Sequence, residues 1–139
     1  MIVVDASVAV KWFVPEQDSD KAEQLLFSRE KLLAPKIMRI EVAAAITRLA
    51  RTKSISPAMV GILLQDWQRS LHDETVTLEP TQYDFHNGTQ LSLDLGHPLQ
   101  DCLYLAAAHR LETRLLTADN KFFKKAIAAG HDIKLLADQ

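Results

Sequence analysis

The sequence predicts a single three-layer α/β domain over residues 1–139, with a short, mostly parallel central sheet between layers of helices. Short apolar runs alternate with longer amphipathic segments, as in chains built from successive β-α-β units. The short runs are apolar throughout, which is typical of strands that are buried on both faces. The chain has 139 residues, of which 47% are hydrophobic, and this is enough for one core but too little for two domains.

The first strand is predicted at Ile2-Val3-Val4, a β-branched run that ends at Asp5. Residues 6–14 are predicted to be helical as far as Pro15. A second helix is predicted over residues 18–29, where acidic residues occupy the first turn and complement the positive end of the helix dipole. The first strand is therefore expected to place a carboxylate at its C-terminal end.

Residues 32–34 are predicted as the second strand, which Pro35 closes. Residues 38–53 have apolar side chains at every third or fourth position, a pattern that indicates an amphipathic helix with Glu41 in its first turn. A Ser-Pro pair at residues 56 and 57 is a helix cap followed by a favoured first residue. It predicts a further helix that reaches residue 71.

A third strand is predicted over residues 75–78, followed by a helix over residues 81–95 that Gly96 stops. Pro98 is well placed to begin the next helix. That helix has Asp101 in its first turn and then a run of small apolar residues, which allow close packing against a sheet.

Residues 114–117 are predicted as a fourth strand, with Asp119 two positions beyond its end. The last helix is predicted over residues 121–129, and residues 133–136 are expected to add an edge strand. Ligands of parallel sheets bind beyond the C-terminal ends of the strands. Asp5 and Asp119 are therefore predicted to lie together at that edge.

Composition excludes several classes of function. Lys and Arg total 16 against 18 Asp and Glu, a net charge of -2, which excludes a basic coat that binds nucleic acid by bulk electrostatics. The single cysteine, Cys102, excludes an intrachain disulfide and a thiolate zinc cluster. No signal-peptide pattern and no apolar run of membrane-spanning length is present, so a cytoplasmic location away from membranes is expected.

Four acidic residues stand out by their predicted positions. Asp5 and Asp119 follow strands, while Glu41 and Asp101 lie in the first turns of helices. Acidic residues at such positions often only complement a helix dipole or form a turn. Glu41 and Asp101, however, border apolar faces that should be packed, and a carboxylate held there needs a partner.

No matching cation is predicted, because the nearest basic side chains, Arg39, Arg48 and Arg110, are expected to point outward. A divalent metal ion is the simplest partner for these carboxylates. Oxygen ligands without His or Cys favour Mg²⁺ or Mn²⁺ over zinc. Such ions promote the attack of water on a phosphodiester, so the residues predict metal-dependent phosphodiester hydrolysis.

Four short blocks of the sequence carry a resemblance to a known family. The blocks are Val4-Asp5-Ala6-Ser7-Val8, Ala34-Pro35 followed by Glu41-Val42-Ala43, His97-Pro98-Leu99-Gln100-Asp101-Cys102-Leu103-Tyr104-Leu105-Ala106-Ala107, and Leu116-Thr117-Ala118-Asp119. In this order and at these spacings they resemble PIN-domain nucleases, specifically the VapC toxins of type II toxin-antitoxin pairs. The resemblance covers essentially the whole chain.

The resemblance implies a PIN-like α/β/α fold and a Mg²⁺- or Mn²⁺-dependent endoribonuclease. It implies RNA as the substrate, a cognate antitoxin protein as a partner, and a homodimer. Matched residue by residue, the implied catalytic and metal-binding residues are Asp5, Glu41, Asp101 and Asp119, supported by the hydroxyl groups of Ser7 and Thr117. Gln100 departs from the family pattern, which more often has an aromatic residue before this Asp.

Other functions are open at this point. A module of the same fold that binds RNA or protein without cleavage is disfavoured, because all four acidic residues are present. A housekeeping RNA-processing nuclease is a further alternative. An aspartyl-phosphate phosphatase would have a second Asp where this chain has Ser7, and no glycine-rich phosphate loop is present for a nucleotide-binding protein.

The histidines are predicted to be surface or capping residues. They are dispersed, with no spacing that indicates a zinc site or a Ser/His/Asp triad. They are His72, His86, His97, His109 and His131. Cys102 is predicted to lie in the core rather than to act as a nucleophile.

Overall fold

A computed structural model describes residues 1–139 and contains one five-stranded sheet. The strands are β1 (Ile2–Val4), β2 (Leu32–Pro35), β3 (Thr77–Glu79), β4 (Leu115–Thr117) and β5 (Ile133–Leu135). The α-helices are α1 (Ala6–Ala9), α2 (Ser19–Phe27), α3 (Met38–Arg51), α4 (Pro57–His72), α5 (Phe85–Leu95), α6 (Leu99–Arg110) and α7 (Asn120–Ala128). The predicted α/β fold class is confirmed.

The sheet has the strand order β3-β2-β1-β4-β5, and every neighbouring pair is parallel. The chain moves from β1 outward to β3 on one side, then returns to β4 and moves outward to β5 on the other. Because crossovers between parallel strands are right-handed, these two directions place helices on opposite faces of the sheet. The direction changes between β1 and β4, and a crevice forms beyond the C-terminal ends of strands at such a point.

Helix α6 is the most deeply buried helix, since every residue from Cys102 to Ala108 is buried. It packs against β1, β2 and β4 on one side and against α5 on the other. The alanines in this run allow the helix to approach the sheet closely. Cys102 lies in this core, and burial raises the pKa of its thiol to about 11, so it is not a nucleophile.

Helix ends follow the local sequence signals. The Ser56 hydroxyl accepts a hydrogen bond from the Ala58 amide at 3.2 Å, as expected of a cap before Pro57. Gly96 ends α5 with a φ of 58°, a left-handed conformation that glycine adopts without a steric penalty.

Three predicted elements differ in detail. The segment predicted as one helix over residues 6–14 is α1 followed by a 3₁₀ turn at Val10–Trp12, a common way for a helix to tighten at its end. The helix predicted over residues 81–95 begins with a separate 3₁₀ turn at Thr81–Asp84, and α5 follows. The third strand begins two residues later than predicted, because a turn with left-handed Glu74 follows α4.

A buried ion pair, which the sequence did not indicate, fixes the start of α5 to the end of α6. The Asp84 carboxylate is fully buried and accepts hydrogen bonds from the Arg110 guanidinium at 2.8 and 3.2 Å. This pair raises the pKa of Arg110 further. Arg110 is exposed to solvent, as predicted, but its guanidinium reaches back to Asp84. None of the helices is both long and apolar enough to cross a membrane.

Candidate active site

The four acidic residues singled out from the sequence line one crevice at the C-terminal edge of the sheet. Asp5 follows β1, and Asp119 follows β4, the neighbouring strand. Glu41 lies in the first turn of α3, and Asp101 lies in the first turn of α6. The crevice encloses about 500 Å³ and is open to solvent. The fold therefore brings together residues from four separate elements, as the sequence predicts.

Asp5 is the most deeply buried of the four, with 4% of its surface exposed. Its Oδ2 atom accepts hydrogen bonds from the hydroxyl groups of Ser7 at 2.6 Å and Thr117 at 2.8 Å. The Ser7 hydroxyl in turn accepts a hydrogen bond from the Ala118 amide at 3.0 Å, which ties it to the β4 end. The two hydroxyl groups thus fix the position of the Asp5 carboxylate.

Glu41 is held by a residue that the sequence analysis did not select. The Tyr104 hydroxyl donates a hydrogen bond to Glu41 Oε1 at 2.7 Å. Tyr104 is fully buried on α6, so this bond also connects α6 to α3. A buried phenol needs a polar partner. The position of Tyr104 in an otherwise apolar run could therefore have indicated that its hydroxyl makes a buried hydrogen bond.

Asp119 caps α7. Its Oδ1 atom accepts a hydrogen bond from the Phe122 amide at 3.0 Å. The Asp119 amide itself donates to Thr117 Oγ1 at 3.1 Å. Thr117 therefore contacts two of the acidic residues, Asp5 through its hydroxyl proton and Asp119 through its hydroxyl oxygen.

Asp101 contacts a histidine that the sequence analysis assigned to the surface. His97 is 7% exposed, and its Nε2 atom lies 2.6 Å from Asp101 Oδ2. Its ring stacks on Phe122, with a centroid separation of 4.6 Å and an angle of 13° between the planes. The prediction of a surface or capping role is wrong for His97, because Phe122 and Asp101 enclose its ring. The spacing of four residues from Asp101 was the only sequence signal.

The four carboxylates share one arrangement. In each, one oxygen accepts hydrogen bonds from the chain: Asp5 Oδ2, Glu41 Oε1, Asp101 Oδ2 and Asp119 Oδ1. The second oxygen of each accepts no hydrogen bond from the chain. None of these second oxygens is a buried atom without a partner, so each is accessible from the crevice. Each carboxylate is therefore oriented by one oxygen and keeps the other available for a ligand in the crevice.

No Lys or Arg nitrogen lies within 4.0 Å of any of these carboxylates. Burial, together with the neighbouring charges of Asp101 and Glu41, raises the pKa of Asp5 to about 7 against the opposing hydrogen bonds from Ser7 and Thr117. Burial also raises the pKa values of Glu41 and Asp101. The crevice therefore concentrates negative charge that the chain does not neutralise.

This donor set fits a divalent cation. Uncompensated carboxylates with one oxygen available each are the ligands that Mg²⁺ and Mn²⁺ prefer. Ligand atoms of Asp101 and Asp119 lie within 4.8 Å of each other and of a His97 nitrogen, so these two carboxylates are close enough to hold one ion together. Asp5 and Glu41 line the same crevice but do not complete a second group that compact.

Basic side chains lie at the mouth of the crevice. Arg48 and Arg51, on the last turns of α3, line it together with Lys11. The Lys11 ammonium is held by Glu16 at 3.3 Å and by the Gln17 carbonyl at 2.8 Å. Arg48 was predicted to point outward from the site; it is exposed to solvent, but its position on α3 brings it to the crevice wall.

Comparisons with known proteins identify a family and a fold. Residues 2–128 match the family model described as PIN domain. A VapC ribonuclease of Mycobacterium bovis and ribonuclease VapC9 of Mycobacterium tuberculosis are each 31% identical over 119 residues, which is 86% of this chain and 86% of each relative. Ribonuclease VapC3 of Pyrobaculum aerophilum is 26% identical over 129 residues, 89% of this chain and 93% of the relative.

Two solved structures are similar in fold. One is a toxin-antitoxin complex from Klebsiella pneumoniae, with a TM-score of 0.69, 16% identity and coverage of 98% of both chains. The other is Mycobacterium tuberculosis VapC20, described as a toxin that cleaves the sarcin-ricin loop, with a TM-score of 0.64, 16% identity and coverage of 94% of this chain and 96% of that chain.

Proposed function

The chain belongs to the PIN-domain family, and on this premise we propose that it is a metal-dependent endoribonuclease, the toxin of a type II toxin-antitoxin pair. The relatives named VapC ribonucleases support hydrolysis of RNA phosphodiester bonds. The crevice lined by Asp5, Glu41, Asp101 and Asp119 is the proposed catalytic and metal-binding site.

One observation carries this proposal: four carboxylates converge without a Lys or Arg partner, and each is held by one oxygen only. A structural role for these acids would pair them with basic side chains, as it does for Asp84 and Arg110. A carboxylate cluster left uncompensated in this way costs stability, and a bound divalent cation offsets that cost.

When bound, Mg²⁺ or Mn²⁺ supplies the charge that activates water and stabilises the phosphate that is being cleaved. The chain supplies orientation. Ser7 and Thr117 hold Asp5, and Tyr104 holds Glu41, so that neither carboxylate turns away from the crevice. The raised pKa of Asp5 means that cation binding and loss of the Asp5 proton are coupled near neutral pH.

The RNA backbone is proposed to lie along α3. Arg48 and Arg51 follow Glu41 on one face of this helix, and the small residues Ala44 and Ala45 lie between them and line the crevice. At 1.5 Å per residue, Arg48 lies about 10 Å along the helix from Glu41. That separation supports a contact between its guanidinium and a phosphate one or two nucleotides from the cleaved bond, which would position the strand without reading its sequence.

Binding partners of this chain are the next part of the proposal. One similar solved structure is a toxin-antitoxin complex, which supports a cognate antitoxin protein as a partner of this chain. We further propose a homodimer that acts in the cytoplasm.

The test is cleavage of total RNA by purified protein with Mg²⁺ or Mn²⁺, followed by sequencing of the product ends. Cleavage is expected to stop with chelator and to resume when the ion is restored. Asp5→Asn and Asp101→Asn are expected to be inactive but folded, while Asp66→Asn, an exposed acid on α4, is expected to be fully active. RNA binding without cleavage in the wild type would instead support a non-catalytic module.

A further inference from the structure

We propose that His97 is a positioning residue that orients the Asp101 carboxylate for metal binding, and that Phe122 links this pair to Asp119. The inference rests on the proposed function, because it assigns a role toward the same metal site. It concerns residues outside the four acids, and His97 itself does not line the crevice.

His97 is held from several directions. Its ring stacks on Phe122 at 4.6 Å, and its backbone carbonyl accepts a hydrogen bond from the Ser92 hydroxyl at 2.6 Å. With 7% of its surface exposed, it has little freedom to adopt another rotamer. A side chain fixed in this way can impose its geometry on the group to which it donates.

The hydrogen bond defines which nitrogen carries the proton. An ionised Asp101 can only accept, so Nε2, at 2.6 Å from Oδ2, must be the donor. Nδ1 is buried and has no hydrogen-bond partner. A proton on Nδ1 would be an unpaired buried donor, so the geometry favours Nε2 as the nitrogen that donates to Asp101. Oδ2 is thereby held, and Oδ1 remains for the cation.

Phe122 connects the two carboxylates nearest to His97. Its amide donates to Asp119 Oδ1 at 3.0 Å, while its ring forms the surface on which His97 lies. One residue in the first turn of α7 therefore fixes Asp119 directly and Asp101 through His97. A displacement of Phe122 would therefore disturb Asp119 through the amide and Asp101 through the His97 ring.

Direct ligation by His97 Nε2 is the competing arrangement. It is disfavoured because the four acids line the crevice and His97 lies behind Asp101, where it is enclosed by Phe122. The two arrangements differ in the coordination of a bound ion. A positioning histidine has no bond to the metal, whereas a histidine ligand would coordinate the metal through its nitrogen.

The experiment is a Mn²⁺ titration by calorimetry, with the wild type, His97→Phe and His97→Gln. Phenylalanine keeps a flat ring against Phe122 but removes the donor, and the glutamine amide restores a donor near the position of Nε2. We expect His97→Phe to weaken Mn²⁺ binding about 10- to 100-fold, and His97→Gln to recover to within about threefold of the wild type. The KM for RNA is expected to stay unchanged at saturating Mn²⁺, because His97 does not reach the substrate.

A background variant separates positioning from a general effect on folding. In Asp101→Asn, the further change His97→Phe is expected to alter Mn²⁺ affinity by less than about twofold, since its effect passes through the Asp101 carboxylate. Phe122→Leu keeps the His97 donor but removes its stacking surface. It is expected to weaken Mn²⁺ binding about tenfold.

Equal Mn²⁺ affinity in the wild type and His97→Phe would overturn the proposal while leaving the metal site intact. An undiminished effect of His97→Phe in the Asp101→Asn background would also overturn it. Strong ¹⁴N hyperfine coupling to Mn²⁺ in the wild type would show direct ligation instead. A wild type that binds no Mn²⁺ would refute the proposed metal site, and the role of His97 with it.

Discussion

The buried charge of Asp5 predicts that removing it stabilises the metal-free protein. The pKa of Asp5 is raised from 3.8 to about 7, mainly by burial, so the folded chain holds its ionised form at a cost. Each pKa unit corresponds to about 1.4 kcal/mol, and the difference therefore amounts to about 4 kcal/mol at a pH well above 7. Asp5→Asn is expected to increase the free energy of unfolding by up to that amount, because the amide keeps an oxygen that accepts from Ser7 and Thr117.

The raised pKa of Asp5 also makes the free energy of unfolding depend on pH. Because the folded-state pKa lies above the unfolded value, the wild type binds a proton on folding and gains stability as the pH falls through 7. Asp5→Asn lacks this proton, so its advantage is expected to shrink by about 3 kcal/mol between about pH 8 and about pH 5. Added Mn²⁺ is expected to stabilise the wild type and to leave Asp5→Asn nearly unchanged.

The assay is urea unfolding in the presence of chelator, with Asp66→Asn as the control for loss of an exposed acid. The difference between the wild type and Asp5→Asn isolates this carboxylate from the other groups that titrate over the same range. An Asp5→Asn variant no more stable than the wild type at about pH 8, or a difference in stability that is the same at about pH 8 and about pH 5, would show that burial of the Asp5 charge does not destabilise the fold.

The buried ion pair, the crevice arginines and the α4 cap each give a further prediction. Arg110→Met strands the fully buried Asp84 carboxylate and is expected to cost about 3–5 kcal/mol in urea unfolding. Asp84→Asn leaves a partly exposed guanidinium and should cost less, about 1–3 kcal/mol, so the reverse order would contradict the assignment. Arg48→Ala is expected to raise the KM for RNA several-fold with kcat unchanged and to lower the salt slope of binding by about one, whereas Arg39→Ala, outside the crevice, is expected to have no effect. Ser56→Ala removes a helix cap and is expected to lower the free energy of unfolding by about 1 kcal/mol; an unchanged value would show that the cap contributes nothing.

Much of the fold could be predicted from the sequence because its signals are local. The β-branched run before Asp5 and the Ser-Pro pair at residues 56 and 57 each fix an element without reference to the rest of the chain. The meeting of Asp5 and Asp119 also followed, since neighbouring parallel strands end at the same edge of a sheet. Periodicity could not show that residues 81–95 divide into a 3₁₀ turn and α5.

The parts of the site that escaped prediction depend on contacts between distant elements. His97 is buried because the Phe122 ring, 25 residues further along the chain, covers it. Tyr104 reaches Glu41 across the gap between α6 and α3. A phenol in an apolar run indicates a need for a polar partner, but nothing in the sequence identifies that partner as Glu41. The acids were recognisable by their positions after strands and at helix starts, and Ser7 and Thr117 by the family resemblance, whereas the contacts of His97 and Tyr104 depend on tertiary packing.

The decisive measurement for the crevice is calorimetric titration of Mn²⁺ into the wild type and four variants, Asp5→Asn, Glu41→Gln, Asp101→Asn and Asp119→Asn. The wild type is expected to bind Mn²⁺, and each substitution is expected to weaken binding at least about tenfold, since each removes a carboxylate with an oxygen available in the crevice. Mg²⁺ is expected to compete for the same site. An absence of binding in the wild type, or affinities that all four substitutions leave unchanged, would contradict the assignment of the crevice as a metal-dependent active site.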